Sequence, residues 1–224
     1  MNIEKQNSPL VSVILPVYNR GYIIEHALNS LINQTFENYE LIIVDDGSTD
    51  KTKEIISPYL KKYQNFKYTF HSNRGVALSR NAGILMAEGT YITFIDSDDE
   101  YKIGHLEKMV TFMQSNPDID FIHSFPDIVG DEKDMWLLDS NDVTKLVHVN
   151  DCVYGGTFFA KKEVFIEMGV YKNIPYSEDS DFYNRLISFG KFKIQKLNGK
   201  TYVYYRNIDD SICNTIKKLY YKSN

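Results

Sequence analysis

The sequence predicts an α/β layered domain with a mostly parallel sheet, and three observations carry that expectation. β-Branched and aromatic runs alternate with stretches of helical period through about the first 125 residues. Three of the strand-like runs end in chemically unusual turns, "PVYN", "DDGSTD" and "DSDDE", and in open α/β sheets the ligand crevice lies beyond the carboxyl ends of the strands. The 224 residues, 43% hydrophobic and 14% aromatic, suffice for one large domain with a small appendage and are too few for two domains of ordinary size.

Taken in order, "VSVIL" is a short β-branched strand that Pro16 is expected to stop, because proline removes a ladder donor. Ile24, Leu28, Leu31 and Ile32 then recur at helical spacing, and "ELIIV" is a second strand running into "DDGSTD". A helix through "KTKEIISPYLKKY" is expected to break, or to begin late, at Pro58. "FKYTFH" reads as a third strand and "GVALSRNAGILMAEG" as a helix closed by Gly89, with Leu78, Ala82, Leu85 and Met86 toward the core. "YITFI" is the fourth strand, and "GHLEKMVTFMQS" the helix after it.

From about residue 125 the pattern changes. "FPDIVGDEKDMWLLDSNDV" is acidic and irregular, an excursion of loops or short strands with Trp136 packed within it. "GGTFFAKKEVFIEMG" suggests a strand and a short helix. "YSEDSDFYNRLISFG" suggests a helix from an N-cap at Ser177 to Gly190, with Phe182, Leu186 and Phe189 as its buried stripe. "KFKIQKL" and "KTYVYYR" read as a pair of strands joined by the turn "NGK". The organisation expected is one domain over residues 1–224: a nucleotide-type half over about 10–125, a mixed α+β half over about 126–211, and a tail or short helix over 212–224.

Composition excludes several classes. A net charge of −5 is the wrong sign for a nucleic-acid binder. Cys152 and Cys213 stand far apart with no CxxC pair, so neither a disulfide framework nor a thiolate zinc site is indicated, and the cytoplasm is the natural compartment. "MNIEKQNSPL" is polar, and no apolar run approaches the roughly 20 residues of a membrane span, so neither a signal peptide nor a span is expected. The closing "NTIKKLYYKSN" sets Lys217, Lys218 and Lys222 among Leu219, Tyr220 and Tyr221. It reads first as a solvated helix and second as a segment that grazes the inner face of an anionic membrane.

The strand tips carry the chemistry. Asp96 and Asp98 in "DSD" suit a hard cation shared with a diphosphate, since magnesium takes only one or two protein carboxylates. The plain alternative, favoured for the stretch in isolation, is a solvated acidic turn or a helix N-cap. Asp46 reads first as turn chemistry and second as an acceptor for a nucleobase or ribose. Tyr18 offers a ring to a base and Asn19 an amide. Arg80 is free to reach a phosphate or to join a surface ion pair. Glu178, Asp179 and Asp181 sit in the first turn of their helix, where they favour the dipole and where a carboxylate is also placed to act as a general base. The five histidines show no ligand spacing and read as structural or exposed.

Together, "VSVILPVYNRGYIIEHALNSLINQTFENYELIIVDDGSTDKT", "NRGVALSRNAGILMAEGTYITFIDSDDEY", "GGTFFAKKEVF" and "SEDSDFYNRL" closely resemble family 2 glycosyltransferases of the GT-A fold. The resemblance is dense over about 10–110, thin over 125–150 and recoverable over 155–211. It implies a Rossmann-like three-layer α/β/α sandwich with a smaller α+β acceptor-side portion. It also implies a metal-dependent, inverting transfer of a hexose-type sugar from a nucleoside-diphospho-sugar, a UDP-sugar first, to a glycan or glycolipid acceptor in cell-surface polysaccharide assembly. By position, Pro16, Tyr18, Asn19, Asp46, Arg80 and Asp96 would border the donor. Asp98, with Asp96, would hold Mn2+ or Mg2+; Asp179, with Glu178 beside it, would be the catalytic base. The chain lacks the Q-x-x-R-W motif and membrane helices of processive relatives, and offers Tyr205, Arg206 and Ile208 where some relatives have a histidine. The other readings are a nucleotidyltransferase, for which "PVYNRG" is a poor phosphate loop, and a non-catalytic nucleotide-sugar-binding subunit.

Overall fold

Seven strands form the central sheet: β1 (Val11–Val17), β2 (Tyr39–Asp45), β3 (Phe66–Phe70), β4 (Tyr91–Phe94), β6 (Phe121–Ser124), β10 (Phe159–Lys161) and β11 (Ile194–Leu197), in the spatial order β11-β6-β10-β4-β1-β2-β3. All neighbours are parallel except β10, which runs antiparallel to both β4 and β6. A three-stranded sheet, β5 (Glu100–Tyr101), β12 (Tyr202–Tyr205) and β7 (Asp127–Val129), and the pair β8 (Trp136–Leu138) and β9 (Leu146–His148) lie beside it. The computed structural model describes residues 8–140 and 142–223. The polar start of the chain, residues 1–7, and the expectation attached to it lie outside the described residues. Among the described residues no helix is long and apolar enough to cross a membrane.

The period-2 alternation of the strands divides the core into two faces. Val11, Val13, Leu15, Leu41 and Ile43 pack under α1 (Ile24–Ile32), α2 (Thr52–Lys62) and α4 (His105–Ser115). Ile14, Ile42, Val44, Ile92 and Phe94 pack under α3 (Val76–Met86), α5 (Lys162–Glu167) and α6 (Glu178–Phe189). This is the three-layer sandwich expected, with the carboxyl ends of β1, β2 and β4 at one edge. A last helix, α7 (Ile212–Ser223), closes the described chain.

Several local expectations are corrected. β1 continues through Pro16 to Val17. The Ile95 N–H bonds the Ile14 carbonyl, so residue 16, of the same parity, faces the side where β4 has already ended, and no ladder donor is needed there. α2 runs unbroken through Pro58, held by the buried Ile56. α3 buries Ala77, Arg80, Gly83 and Ile84; of the face expected, Ala82 packs against the core and Leu78 is half-buried, but Leu85, 72% exposed, and Met86 face outward. Small residues win that contest because a Cβ on Gly83 would lie 2.4 Å from Ile14 Cγ2, so only this face lets the helix approach β1. The helix ends at Met86; Gly89 instead packs on β1, where a Cβ would meet the Ser12 nitrogen at 2.6 Å.

In the second half, α6 does end at Gly190, which adopts φ 68°, a left-handed conformation suited to glycine. Ser177 precedes the helix as expected but makes no side-chain cap, and Phe189 is exposed. β11 and β12 do not pair with each other: β11 extends the main sheet beside β6, while β12 joins β5 and β7. Trp136, expected to be packed, is 40% exposed, and its ring meets that of His148 in a T-shaped contact.

Candidate active site

The acidic tip of β4 separates into three environments. Asp99 is buried, and its Oδ2 accepts from the Tyr202 hydroxyl (2.6 Å) while Oδ1 accepts from the Tyr205 N–H (2.9 Å). It therefore anchors β12, and burial pushes its carboxyl well up from the ordinary range. The Asp96 N–H donates to the same Tyr202 hydroxyl (3.2 Å), and its Oδ1 accepts from Arg80 Nη2 (2.7 Å). Asp98 alone makes neither a hydrogen bond to another residue nor an ion pair among the described residues. Burial, then the charge of Asp96, pushes its carboxyl up to about 6.

Arg80 joins this tip to the start of α6. Its Nη1 pairs with Glu178 Oε1, its Nη2 with Asp96, and its guanidinium carbon lies 5.7 Å from the ring centres of Phe94 and Tyr171. The side chain is 4% exposed, which makes it the centre of a buried ionic bridge between residues 16 and 98 positions away in sequence. Beside it, Asp179 Oδ2 accepts from the Gly155 N–H (2.9 Å) and Oδ1 from the Ser180 N–H (2.8 Å). Burial raises the Asp179 carboxyl, against the pull of Arg80 and those two N–H groups. Burial likewise pushes Glu178 upward, against the guanidinium that holds it. Three carboxyl groups, those of Asp96, Glu178 and Asp179, thus gather around one buried guanidinium, and Asp98 stands beside Asp96 at the same strand tip, an excess of negative charge that invites a cation.

Close approach of backbone completes the wall. A Cβ on Gly156 would lie 2.3 Å from the Tyr202 hydroxyl, and one on Gly155 would lie 3.1 Å from Arg80 Nη1. Tyr202 and this Gly-Gly turn are site residues that sequence reasoning missed. The "GG" of "YGGTFF" was the only signal available, because Tyr202 stands 103 residues from Asp99.

The other candidates line the tips of β1 and β2. Tyr18 is 45% exposed. Asn19 takes φ 52°, a left-handed conformation that asparagine tolerates, and its Oδ1 accepts from the Thr49 N–H (2.8 Å), stitching "PVYN" to "DDGSTD". Asp46 is buried, with Oδ1 accepting from the Arg74 N–H (2.7 Å) and Oδ2 from the Gly75 N–H (2.8 Å), so both oxygens hold the loop before α3. Pro16 lies within β1 beside β2. The structure therefore brings Arg80, Asp96, Asp98, Glu178 and Asp179 together, and sets Pro16, Tyr18, Asn19 and Asp46 along the adjoining strand tips. In the stretch after β12, Arg206 is fully buried on the Asp134 carbonyl and Asn214. His105 and His123 are buried structural groups, bonded to Thr201 and Tyr183.

Comparison with known proteins bears on the family and the fold. The pattern described as "Glycosyl transferase family 2" matches residues 12–189. Curated relatives are 30 to 46% identical over 106 to 201 residues, and the chain spans 13 to 62% of their lengths. One is the minor teichoic acid biosynthesis protein GgaB of Bacillus subtilis, 41% identical over 116 residues (50% of this chain, 13% of that one). Among solved structures, S. aureus TarS 1-349 in complex with UDP-GlcNAc superposes with a TM-score of 0.71 at 24% identity, covering 90% of this chain and 60% of that one. The mannosyltransferase PcManGT of Pyrobaculum calidifontis, in complex with GDP-Man and Mn2+, gives 0.66 at 20% identity, covering 88% and 57%.

Proposed function

Because the chain belongs to glycosyl transferase family 2, we propose that it moves a sugar from a nucleoside-diphospho-sugar to a hydroxyl of a cell-surface glycan or glycolipid, inverting the anomeric carbon. The convergence of the "DSD" tip and the "ED" helix start on Arg80 carries this reading. UDP-GlcNAc on TarS supports a uridine donor, and the teichoic acid role of GgaB supports a cell-surface acceptor.

In this scheme the exposed Tyr18 ring stacks on the base, and Asp179 takes the acceptor's hydroxyl proton while the sugar is attacked from the face opposite the leaving group. Arg80 and Glu178 position the two carboxylates. A divalent cation fits the residues present. Asp98 is a partly buried carboxylate that no hydrogen bond from another residue and no ion pair holds among the described residues, and the charge of Asp96 acts on it from two residues away; among the described residues no three His, Cys, Asp or Glu form a ready-made cage. That suits magnesium or manganese held by Asp98 and Asp96 with the substrate's phosphates, and the Mn2+ bound by PcManGT supports it. When bound, the cation supplies positive charge against the departing diphosphate.

The test is a panel of nucleotide sugars, with and without manganese, followed for nucleoside diphosphate release and for product configuration by NMR. No release with any donor, or a product of retained configuration, would sink the scheme. Asp98→Asn is expected to remove the cation-dependent part of nucleotide binding, about tenfold or more. It should also stabilise the fold at pH 7 by on the order of 1 kcal/mol. The sign follows from the raised pKa: stability is lost as pH rises from 3.8 through about 6, and the amide never ionises. Calorimetry and thermal melts read both effects, and a variant with unchanged manganese dependence would move the cation elsewhere.

The reaction is proposed to take place in the cytoplasm at the inner membrane face. α7 supports this by exposing Ile212, Leu219 and Tyr221 beside Lys218 and Lys222. Sedimentation with anionic but not neutral vesicles, lost in Leu219→Glu, is the expected result. Equal sedimentation of the variant would remove α7 from the interaction.

A further inference from the structure

"PVYNRG" contributes one cation that the scheme above leaves unused. Arg20 stands at the tip of β1, next to the left-handed Asn19, with only 12% of its side chain exposed. Its Nη1 donates to Asp210 Oδ2 (2.9 Å) and its Nη2 to the Asp210 carbonyl (2.9 Å), while the Tyr22 hydroxyl donates to Asp210 Oδ1 (2.5 Å). Asp210 lies in the turn between β12 and α7, and its own carboxylate is 54% exposed. The root of that turn is fixed to the acidic tip through the Tyr205 N–H and Asp99. The charges of Arg20 and Asp210 both act on Asp98, in opposite directions. One arginine, one tyrosine hydroxyl and one removable carboxylate thus meet at the mouth of the site beside its unpaired acid.

We propose that Arg20, with the Tyr22 hydroxyl, is a binding residue for the donor's diphosphate, and that Asp210 holds that place by mimicry until the donor displaces it. This rests on the transferase reading. A carboxylate gripped by a guanidinium and a hydroxyl presents the same oxygens as a phosphate. Asp210 can leave because its own carboxylate is 54% exposed and regains water on leaving, which offsets the loss of its contacts with Arg20 and Tyr22. Arg20 stays, because its stem is covered and its backbone N–H is tied to Thr52 Oγ1 (2.9 Å). The turn carrying Asp210 then acts as a strap that the donor opens, and its negative charge opposes binding until it moves.

The test is calorimetry of UDP, GDP, dTDP, CDP and inorganic pyrophosphate, with and without magnesium, on wild type and four variants. Arg20→Ala should weaken the nucleotide that binds by roughly 10- to 100-fold, and Arg20→Lys by less, as loss of a charge-assisted contact predicts. Asp210→Asn should tighten it by about three- to tenfold even without the cation, because the competitor is weakened. Asp209→Asn is the control for charge alone: it removes the same charge one residue away, from a side chain 95% exposed and paired with Lys218, and should change nothing. Tighter binding in Asp210→Asn is a result that a merely structural role for the pair would not give. Arg20→Ala binding like wild type, or Asp210→Asn binding equally or more weakly without magnesium, overturns the inference and leaves the transferase reading standing. Binding of none of the five by wild type overturns both.

Discussion

Asp179→Asn is expected to bind nucleoside diphosphate within about twofold of wild type while transfer falls by roughly 10² to 10⁴, the usual worth of a general base. The split follows from position. Asp179 is held by the Gly155 and Ser180 N–H groups at the start of α6, and in the proposed scheme the donor is bound by the tips of β1, β2 and β4 instead. Burial raises its carboxyl toward the range useful to a base, and the two N–H bonds fix its direction. An asparagine retains one of those bonds and sets its amide hydrogens against the other N–H, a local cost of about 1 kcal/mol that should leave the fold intact. Glu178→Gln makes the contrast. Its oxygen is committed to Arg80, so its loss should appear in stability and in donor positioning more than in the chemical step. Transfer at wild-type rate by Asp179→Asn, measured as product formed under saturating donor, would remove it from the base role. A fall in transfer matched by an equal fall in nucleotide affinity would place it on the donor instead.

The order of strands and helices in the first half was legible because it rests on short-range signals: the continuous apolar run in "ELIIV", period 3.6 around Leu28 and Leu31, and turn chemistry in "DDGSTD". The resemblance added the grouping of "DSD" with "ED". What sequence could not divide was the labour of the acids, because Asp96, Asp98 and Asp99 differ only in partners that arrive from elsewhere. Asp99 is spent on Tyr202 and Tyr205, Asp96 on Arg80, and Asp98 is left over. The same reason explains α3. Its apolar residues allowed either face to be buried, and the choice fell to Gly83 against Ile14, a contact between positions 69 apart. Arg80, expected on an outer face, went inside with Gly83 and became the hub. The separation of β11 and β12 was hidden because "NGK" is ordinary hairpin chemistry, while the contacts that part the strands lie on β6 and Asp99.

Arg80→Met is expected to destabilise the protein by about 3 to 5 kcal/mol, the cost of leaving buried carboxylates without their counter-charge. Methionine fills much of the same space against Phe94 and Tyr171, so the loss is electrostatic rather than a cavity. For a chain of this size the melting temperature should fall by about 6 to 20 °C. The bridge joins the β4 tip to α6, so its removal should free the acceptor-side half first. Arg80→Lys keeps the charge but not the fork that reaches Asp96 and Glu178 at once, and should recover only part of the loss. The decisive variant is Arg80→Met with Glu178→Gln, which removes one of the two stranded charges. If burial without a partner is the cause, this double variant should be more stable than Arg80→Met alone by about 1 to 3 kcal/mol, although it carries one more substitution. If it is instead less stable, the two losses are independent, and Arg80 holds the site by packing rather than by charge.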